Sequence, residues 1–331
     1  MRWPLPLLPL NWSAAAAALC LLVPLAASVV LAQAPPYPLP SLLPSTAMPS
    51  NQEPITPIPP SPAAEPLKLA LGEQLFQDPV LSHDQTVACV SCHDTRSNGA
   101  DGLRHAKGAD GSRLAFNTPT IFNATLSFRL NWEGNERTLE SQAESTLNGG
   151  LGLGTNIREV LARLNSKPDT VRQFIAVYGR DPDRSSLLDA LATYERSLVT
   201  PGSRFDRWLE GDQEALSADE LNGYALFKSF GCVSCHQGVN VGGNLFQRQG
   251  IFRPLASPEP KILRVPSLRN VATTAPYFHD GSAPTLTDAV RRMARAQLDQ
   301  SLSEPEINAI VAFLDSLTGT YRGAPVKAAA P

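Results

Sequence analysis

The stretch that decides the fold of this chain is GCVSCHQGVN, residues 231–240, in which a histidine directly follows the second of two closely spaced cysteines. The same Cys-x-x-Cys-His arrangement occurs in ACVSCHDTRS, residues 88–97. Two intervening residues let one helical turn present both thiols to the same partner, with the imidazole turned toward it. This spacing is typical of c-type haem attachment, in which the thiols add to porphyrin vinyl groups and the histidine binds the iron.

Two other uses of paired cysteines fit this chain less well. A structural zinc site would have its cysteine pairs about 15–20 residues apart, whereas well over a hundred residues separate these pairs. A thioredoxin-like redox motif would follow a strand, but both motifs lie in helix and loop sequence. Of the five cysteines, four form the motifs and Cys20 lies in the apolar N-terminal stretch, so no disulfide framework is expected. The cysteines therefore predict two covalently bound haem c groups.

The N-terminal part of the chain resembles an export and tether region. Arg2 precedes an apolar stretch, and Ala32-Gln33-Ala34 has the small-x-small pattern of a cleavage site. Residues 1–34 are therefore predicted to be a signal peptide, with an uncleaved membrane anchor as the alternative, because the apolar run approaches the ~20 residues that span a bilayer. Residues 35–66 contain twelve prolines and almost no charge, which predicts an extended, poorly ordered linker.

The remaining sequence has helical periodicity and no convincing alternating strands. Ser217-x-x-Glu220 and Ser303-x-x-Glu306 are capping boxes that begin helices. Apolar periodicity predicts further helices over 67–77, 139–147, 157–165, 170–178, 185–198 and 286–298.

The predicted fold class is therefore all-α, with two cytochrome c-like haem domains that have long loops. The expected domain boundaries are 67–200 for the N-terminal domain and 201–322 for the C-terminal domain, followed by a tail over 323–331. The net charge of −3 argues against a nucleic-acid partner recognised by charge.

The second axial ligand of each iron decides its chemistry. An open position lets a substrate bind, whereas a methionine thioether closes the iron and raises its reduction potential. Met293 is the one methionine in the predicted folded region, since the others are the initiator and Met48 in the linker. It lies on the predicted helix 286–298, where it either packs in the core or binds the second iron.

Several segments of the chain resemble the bacterial di-haem cytochrome c peroxidases. They include LGEQLFQDPVLS, FNTPTIFNA, NWEGNERTLESQAE, LVTPGSRFDRWLEGD, VPSLRNVATTAPYFHDGSAPTLTDAV and AFLDSLTG, in this order. In that family an N-terminal haem reacts with peroxide, and a C-terminal haem with histidine and methionine ligands receives electrons from a small donor. The resemblance implies a peroxidatic haem on Cys89, Cys92 and His93, and an electron-transferring haem on Cys232, Cys235, His236 and Met293.

The resemblance also implies roles for residues outside the motifs. Trp132 takes the place of a tryptophan between the two haems, and Gln142 that of a glutamine in the distal pocket. His279 matches a family histidine near the second haem, where a structural, hydrogen-bonded role is expected. A calcium ion between the domains, for which hard oxygen ligands are suited, would be held by Asn117, Thr274 and Pro276.

Two positions depart from the family pattern. The loop after TLESQAE normally carries a glutamate that moves a proton between the peroxide oxygens, and the register puts Gly152 at that place. A loop histidine often closes the peroxidatic iron, and the register puts Ala109 there. His105, four residues earlier, could replace it if the loop is shifted, and is otherwise a solvated loop residue. His83 is expected at the surface.

The resemblance therefore implies a periplasmic, homodimeric peroxidase that reduces hydrogen peroxide with electrons from a small cytochrome c or cupredoxin. If the N-terminal segment is not cleaved, it would tether the protein to the membrane. Because Gly152 replaces the distal glutamate, the alternative is a di-haem electron-transfer protein or a specialised haem oxidase on the same scaffold.

Overall fold

The computed structural model of the chain describes residues 53–149 and 152–329. Its secondary structure is mainly helical, as the sequence predicts, and each of the six helices predicted from periodicity begins and ends within two residues of an observed helix. The helices are α1 Pro66–Gln77, α2 Cys89–Cys92, α3 Leu139–Asn148, α4 Ile157–Asn165, α5 Pro168–Tyr178, α6 Arg184–Ser197, α7 Arg204–Leu209, α8 Ala218–Ser229, α9 Leu286–Leu298 and α10 Glu304–Asp315.

Two short antiparallel hairpins accompany the helices. Strand β1 Phe246–Arg248 pairs with β2 Ile262–Arg264, and β3 Thr320–Tyr321 pairs with β4 Ala324–Pro325. In the first hairpin Gln247 lies opposite Leu263. The sequence prediction contained neither hairpin, because strands of two or three residues are too short to show a period-2 pattern.

The first lobe packs around helix α6. This helix lies against α1 and α3, and its apolar face, which includes Leu187, Leu191 and Tyr194, is buried. Its N-terminus is capped by Asp183, whose Oδ1 accepts a hydrogen bond from the Ser186 amide at 2.7 Å. Thr138 caps α3 in the same way, with Oγ1 3.1 Å from the Ser141 nitrogen. These caps pair backbone amides that would otherwise lack a partner, and so fix where the two helices begin.

The second lobe is built on the crossing of α8 and α10. The helices approach closely because Gly223 lies against the backbone of Ala309, where a Cβ would collide with the carbonyl. Both predicted capping boxes are present: the Ser217 amide donates to Glu220 Oε2 at 2.8 Å, and the Ser303 amide donates to Glu306 Oε2 at 2.7 Å. Helix α10 ends at Asp315.

Each end of the described chain packs against the lobe that is distant in sequence. Ile55 is fully buried in the apolar core of the second lobe, and Val326 is buried in the core of the first. The predicted poorly ordered linker therefore does not extend over residues 53–58, and the predicted tail includes β4 and a core residue. Apolar side chains cause both differences, since burying one such residue stabilises a fold by about 1.5–3 kcal/mol.

A buried ion pair holds the N-terminal segment on the second lobe. Arg269 Nη1 lies 2.7 Å from Asp206 Oδ1, and both side chains are inaccessible to solvent. Arg269 also donates to the Thr56 carbonyl at 2.8 Å, and Asp206 accepts a hydrogen bond from the Ile58 amide. Removing one partner of such a pair costs about 3–5 kcal/mol, because the other charge stays buried.

The predicted signal peptide, residues 1–34, and the linker up to residue 52 lie outside the described residues. Within 53–149 and 152–329, no helix has both the length and the apolar character needed to cross a bilayer.

Candidate haem-binding cavity

A cavity of about 660 Å³ lies between the two lobes. Both sequence motifs face it: the lining includes all four motif cysteines and both motif histidines. The lining also includes Trp132, Gln142 and Met293, for which the sequence predicts roles in the reaction or in iron binding. The fold therefore brings together residues that are up to about 200 positions apart in the chain.

The first motif forms one short helix, α2, which ends at Cys92, with His93 directly after it. The His93 amide donates to the Cys89 carbonyl at 2.9 Å, and the imidazole Nδ1 lies 3.1 Å from the Gly99 carbonyl. A proton on Nδ1 completes this second bond and leaves the Nε2 lone pair as the metal-binding atom. Burial lowers the pKa of His93 and keeps the ring neutral, as a ligand must be.

The second motif has the same arrangement on a 3₁₀ turn, Cys232–Ser234. The His236 amide donates to the Cys232 carbonyl at 3.0 Å, and Nδ1 lies 3.3 Å from the Val241 carbonyl. Burial lowers the pKa of His236 to about 4. Both histidines are therefore oriented and neutral, with one ring nitrogen left for the cavity.

The environment of the thiols disfavours metal ligation. Burial raises the pKa of Cys89 to about 12 and that of Cys232 to about 11. A zinc site requires thiolates, which this environment disfavours. In the described ranges, no three or more His, Cys, Asp or Glu side chains are arranged to hold a metal ion. The residues present therefore fit two covalently attached porphyrins better than a shared metal site.

Met293 lies on α9, which forms one wall of the second lobe. Thr285 caps this helix, with Oγ1 3.1 Å from the Asp288 nitrogen. Val290 and Ala289, about one turn earlier on α9, line the same cavity and also pack against the apolar core, whereas Met293 lines the cavity without belonging to that core. Iron ligation by Met293 stays a prediction.

Trp132 connects the two lobes at the cavity. Its indole Nε1 donates to the Asn117 carbonyl at 2.8 Å, and its own carbonyl accepts the Arg264 amide at 2.9 Å. The ring lies edge-on to His279, with 6.3 Å between the ring centroids. One hydrogen bond holds the buried indole and another holds the Trp132 backbone, which suits a fixed position between two cofactors.

The residues aligned with the family's distal pocket lie close together. Gln142 and Gly152 both line the cavity. Gln142 Nε2 donates to Thr146 Oγ1 at 2.9 Å and lies 3.4 Å from Asn131 Oδ1. The Ala109 amide donates to the Gly152 carbonyl at 2.9 Å. The two positions that depart from the family pattern are thus hydrogen-bonded to each other.

The other histidines have separate environments. The structure does not bring His105 to the cavity: its Nε2 lies 2.5 Å from Arg113 Nη2. His83 is exposed, as expected, 3.6 Å from Glu159 Oε2. His279 is buried and its Nε2 lies 3.2 Å from the Glu259 carbonyl, consistent with the expected structural role.

The sequence reasoning missed two buried ionisable residues in the cavity wall, Glu195 and Arg264. Glu195 makes no side-chain hydrogen bond within the described structure. A signal for it was present, because Glu195 follows Leu191 by four positions and so lies on the apolar face of α6. Within the described structure, the Arg264 guanidinium donates only to the carbonyls of Asn131 and Val265, and burial lowers its pKa to about 10. Nothing in the local sequence marks it as buried.

We expect Glu195→Gln to remove a pH dependence of stability. Burial, with the nearby charge of Glu140, raises the pKa of Glu195 from 4.5 to about 8. Between these values the folded protein binds a proton that the unfolded chain has lost, so the free energy of unfolding falls as pH rises, by up to about 1.4 kcal/mol per pH unit. Urea unfolding of the holoproteins from pH 5 to 8 measures this slope. Exposed Glu214→Gln is the control, and parallel profiles for Glu195→Gln and wild type would contradict the assignment.

Two Cys-x-x-Cys-His motifs on separate lobes, each with an oriented imidazole facing one cavity, define a c-type cytochrome with two haem sites. A family model described as di-haem cytochrome c peroxidase matches residues 66–214, and a cytochrome c model matches residues 221–318. The chain is 37% identical over 292 residues to cytochrome c551 peroxidase of Nitrosomonas europaea, which covers 83% of this chain and 87% of the relative. The chain belongs to the di-haem cytochrome c peroxidase family.

Other proteins of known sequence or structure agree with this membership. Cytochrome c peroxidase Ccp of Escherichia coli is 38% identical over 294 residues, which cover 83% of this chain; the chain spans 63% of the length of that relative. A solved MauG-like protein associated with microbial copper homeostasis has a TM-score of 0.68 and 26% identity, covering 86% of this chain and 96% of its own. Family membership implies two haem c groups.

Proposed function

We propose that the protein is a periplasmic peroxidase that reduces hydrogen peroxide to water with electrons from a small donor cytochrome c or cupredoxin. The observation that carries this proposal is the single cavity that both motifs share, with Trp132 fixed at the lobe junction and Gln142 beside an open space. The family and the printed names of its relatives support it.

The residues divide into two sets around the cavity. Bound haem would supply an iron at which peroxide is reduced and a second iron that provides the other redox equivalent. The first set would hold and orient the peroxidatic group: Cys89, Cys92 and His93. The second set would hold the electron-transferring group and offer its iron a thioether: Cys232, Cys235, His236 and Met293.

Gln142 is the side chain placed to orient peroxide. Its Nε2 is held by Thr146 and Asn131, which fixes the amide. Oε1 accepts no hydrogen bond from the described residues, and so remains available to a peroxide O–H group. With Gly152 in place of a carboxylate, no acid in this loop transfers the proton between the two oxygens. The transfer would then depend on groups outside this loop, which favours a slow reaction.

The cavity wall contains a basic side chain that would pair with a carboxylate of the porphyrin, and oxygen atoms that would bind a cation. Arg264 offers a buried guanidinium with no acidic partner in the described structure, which suits a porphyrin carboxylate. The predicted calcium ion would be held by the Asn117 side chain and by the Thr274 and Pro276 carbonyls. All three residues line the cavity, and Asn117 Nδ2 donates to the Leu103 carbonyl, which leaves Oδ1 for a cation.

Trp132→Phe tests the connection between the two haem sites. We expect slower electron transfer between them and unchanged covalent haem content, because the aromatic ring remains but the indole nitrogen is lost. The Asn117 carbonyl would lose its buried donor, with a stability cost of about 1–3 kcal/mol. Optical stopped-flow of the half-reduced protein measures the transfer rate. Trp208→Phe, in the second lobe and outside the cavity wall, is the matched control, and equal rates in both variants would contradict the assignment.

The proposed activity is tested by mixing purified holoprotein with peroxide and a reduced donor. Reduction of one peroxide to two waters must consume two donor electrons, so we expect two equivalents of a one-electron donor oxidised per peroxide. Turnover no greater than that of free haem would contradict a peroxidase. It would favour the second candidate, an electron-transfer protein, which the glycine at position 152 supports.

The homodimer stays a prediction, which light scattering checks.

A further inference from the structure

Five of the nine exposed large apolar side chains in the described residues lie on or beside the β1–β2 hairpin. Phe246 and Ile262 lie on the outer face of the β1–β2 hairpin, and Phe128 packs edge-on against Phe246 with 5.4 Å between ring centroids. Ile251 and Phe252 lie in the connection between the strands, and the exposed fraction reaches 58% for Phe252 and 60% for Ile262. We call these five residues the hairpin patch. Clustered exposed apolar side chains of this kind mark interaction sites, whereas isolated ones do not.

The hairpin patch has a basic rim, although the whole chain carries a net charge of −3. Of the four basic residues between positions 244 and 264, Arg264 is buried and Arg253 pairs with Asp299 at 2.9 Å, which leaves Arg248 and Lys261 at the surface beside one acid, Glu259. Arg248 is exposed and forms no ion pair in the described part of the chain, and the same holds for Arg295 on neighbouring α9. The Lys261 Nζ to Glu259 Oε1 distance is 3.9 Å, a loose contact that solvent screens.

The hairpin that bears the patch also forms the outer wall of the second haem site. Gln247 Nε2 lies 3.8 Å from Cys235 Sγ. The connection is fixed on α9, the helix of Met293, since the Phe252 amide donates to the Ala296 carbonyl at 2.9 Å and Gln297 Nε2 donates to the Arg248 carbonyl at 3.0 Å. A partner on the patch would therefore be separated from the second motif by one layer of protein.

We propose that the hairpin patch is the docking surface for an electron donor of a particular kind: a small redox protein with an acidic rim around an apolar contact. This inference rests on the proposed function, because it names the partner of the second haem site. Opposite charges at the rim accelerate encounter, and the apolar centre holds the complex. One electron then passes from the reduced donor to the oxidised protein, without transfer of atoms.

Charge also argues against a second copy of this chain as the occupant. In a two-fold interface the same surface meets itself, so Arg248 and its basic neighbours would face one another. Like charges brought together at an interface are destabilising. An acidic partner meets no such repulsion.

The test uses one redox protein in two charge states: mitochondrial cytochrome c, which is basic, and its succinylated form, whose lysines are converted to carboxylates. Anaerobic stopped-flow measures how fast each reduced probe transfers an electron to oxidised holoprotein, with no peroxide present. At low ionic strength we expect the succinylated probe to react at least about tenfold faster, an advantage that salt removes as the Debye length shortens. Calorimetric titration gives the matching difference in affinity.

Matched variants show whether the hairpin patch causes the preference for the succinylated probe. Arg248→Glu should remove most of the preference for the succinylated probe, and Ile262→Ser should weaken binding of both probes. Lys167→Glu makes the same charge change on the first lobe and should leave the preference intact. The proposal is overturned if the basic probe reacts faster or if Arg248→Glu behaves like Lys167→Glu. A dimer that Ile262→Ser dissociates, with no change in probe rates, would also overturn it.

Because no peroxide is used, this outcome is separate from peroxidase activity. Peroxide turnover with a small-molecule donor but no charge preference would contradict the docking proposal alone. A charge preference without peroxide turnover would contradict only the proposed peroxidase reaction.

Discussion

Replacing Met293 with alanine is expected to lower the reduction potential of one haem by a large part of the roughly 0.8 V range that axial ligands span, and to leave the other nearly unchanged. The thioether favours reduced iron because it is a soft, neutral donor, and its loss opens that position to water or to a histidine. The side chain lines the cavity from α9. No other methionine can replace it, because Met293 is the one methionine of the predicted folded region.

Spectroelectrochemical titration of each variant measures both potentials. Val290→Ala is the matched control, because Val290 lies on the same helix, lines the same cavity and has no ligand atom. It should alter packing but hardly alter either potential. Small, equal shifts in the two haems of Met293→Ala would show that the ligand was misassigned and that Met293 only fills space.

The second large effect is expected for Gly152→Glu, which restores the carboxylate that the family pattern places in this loop. General acid–base catalysis by a positioned group contributes about 10²–10⁴-fold to a rate, and we expect the peroxidase rate to rise within that range. The structure has room for the change: no atom of the described residues lies within 4 Å of a Cβ built on Gly152, and its backbone is not in the left-handed region.

The control for this variant is Gly152→Gln, which has the same size and polarity but cannot exchange a proton at neutral pH. Steady-state oxidation of a reduced donor by peroxide compares the three proteins. If Gln raises the rate as much as Glu, the gain is due to loop geometry or polarity. If neither raises it, proton transfer at this position does not limit the reaction.

Local signals predicted the helices well. The capping boxes at Ser217 and Ser303 fixed two helix starts, and apolar periodicity placed α4 and α9 with no error at either end. Caps and amphipathic faces act within a few residues, so the sequence alone contains the information. The motif histidines were predicted for the same reason, since Cys-x-x-Cys-His holds its three functional groups within one turn.

Features that depend on distant contacts were not predictable in this way. Ile55 lies in a proline-rich stretch and is buried only because the second lobe presents an apolar site to it. Arg264 reads as an ordinary charged residue, and its burial depends on Asn131 and Trp132 in the other lobe. The hydrogen bond that the Ala109 amide donates to the Gly152 carbonyl also requires the tertiary fold, although the family resemblance had already assigned both positions to the distal pocket.

The central claim, that this chain holds two unlike haems of which Met293 closes only one, is tested most directly by a redox titration of the purified holoprotein. We expect two one-electron steps, well separated, with the higher potential belonging to the haem that loses it in Met293→Ala. A single step at one potential, or a colourless mature protein from a host able to attach haem c, would contradict the account.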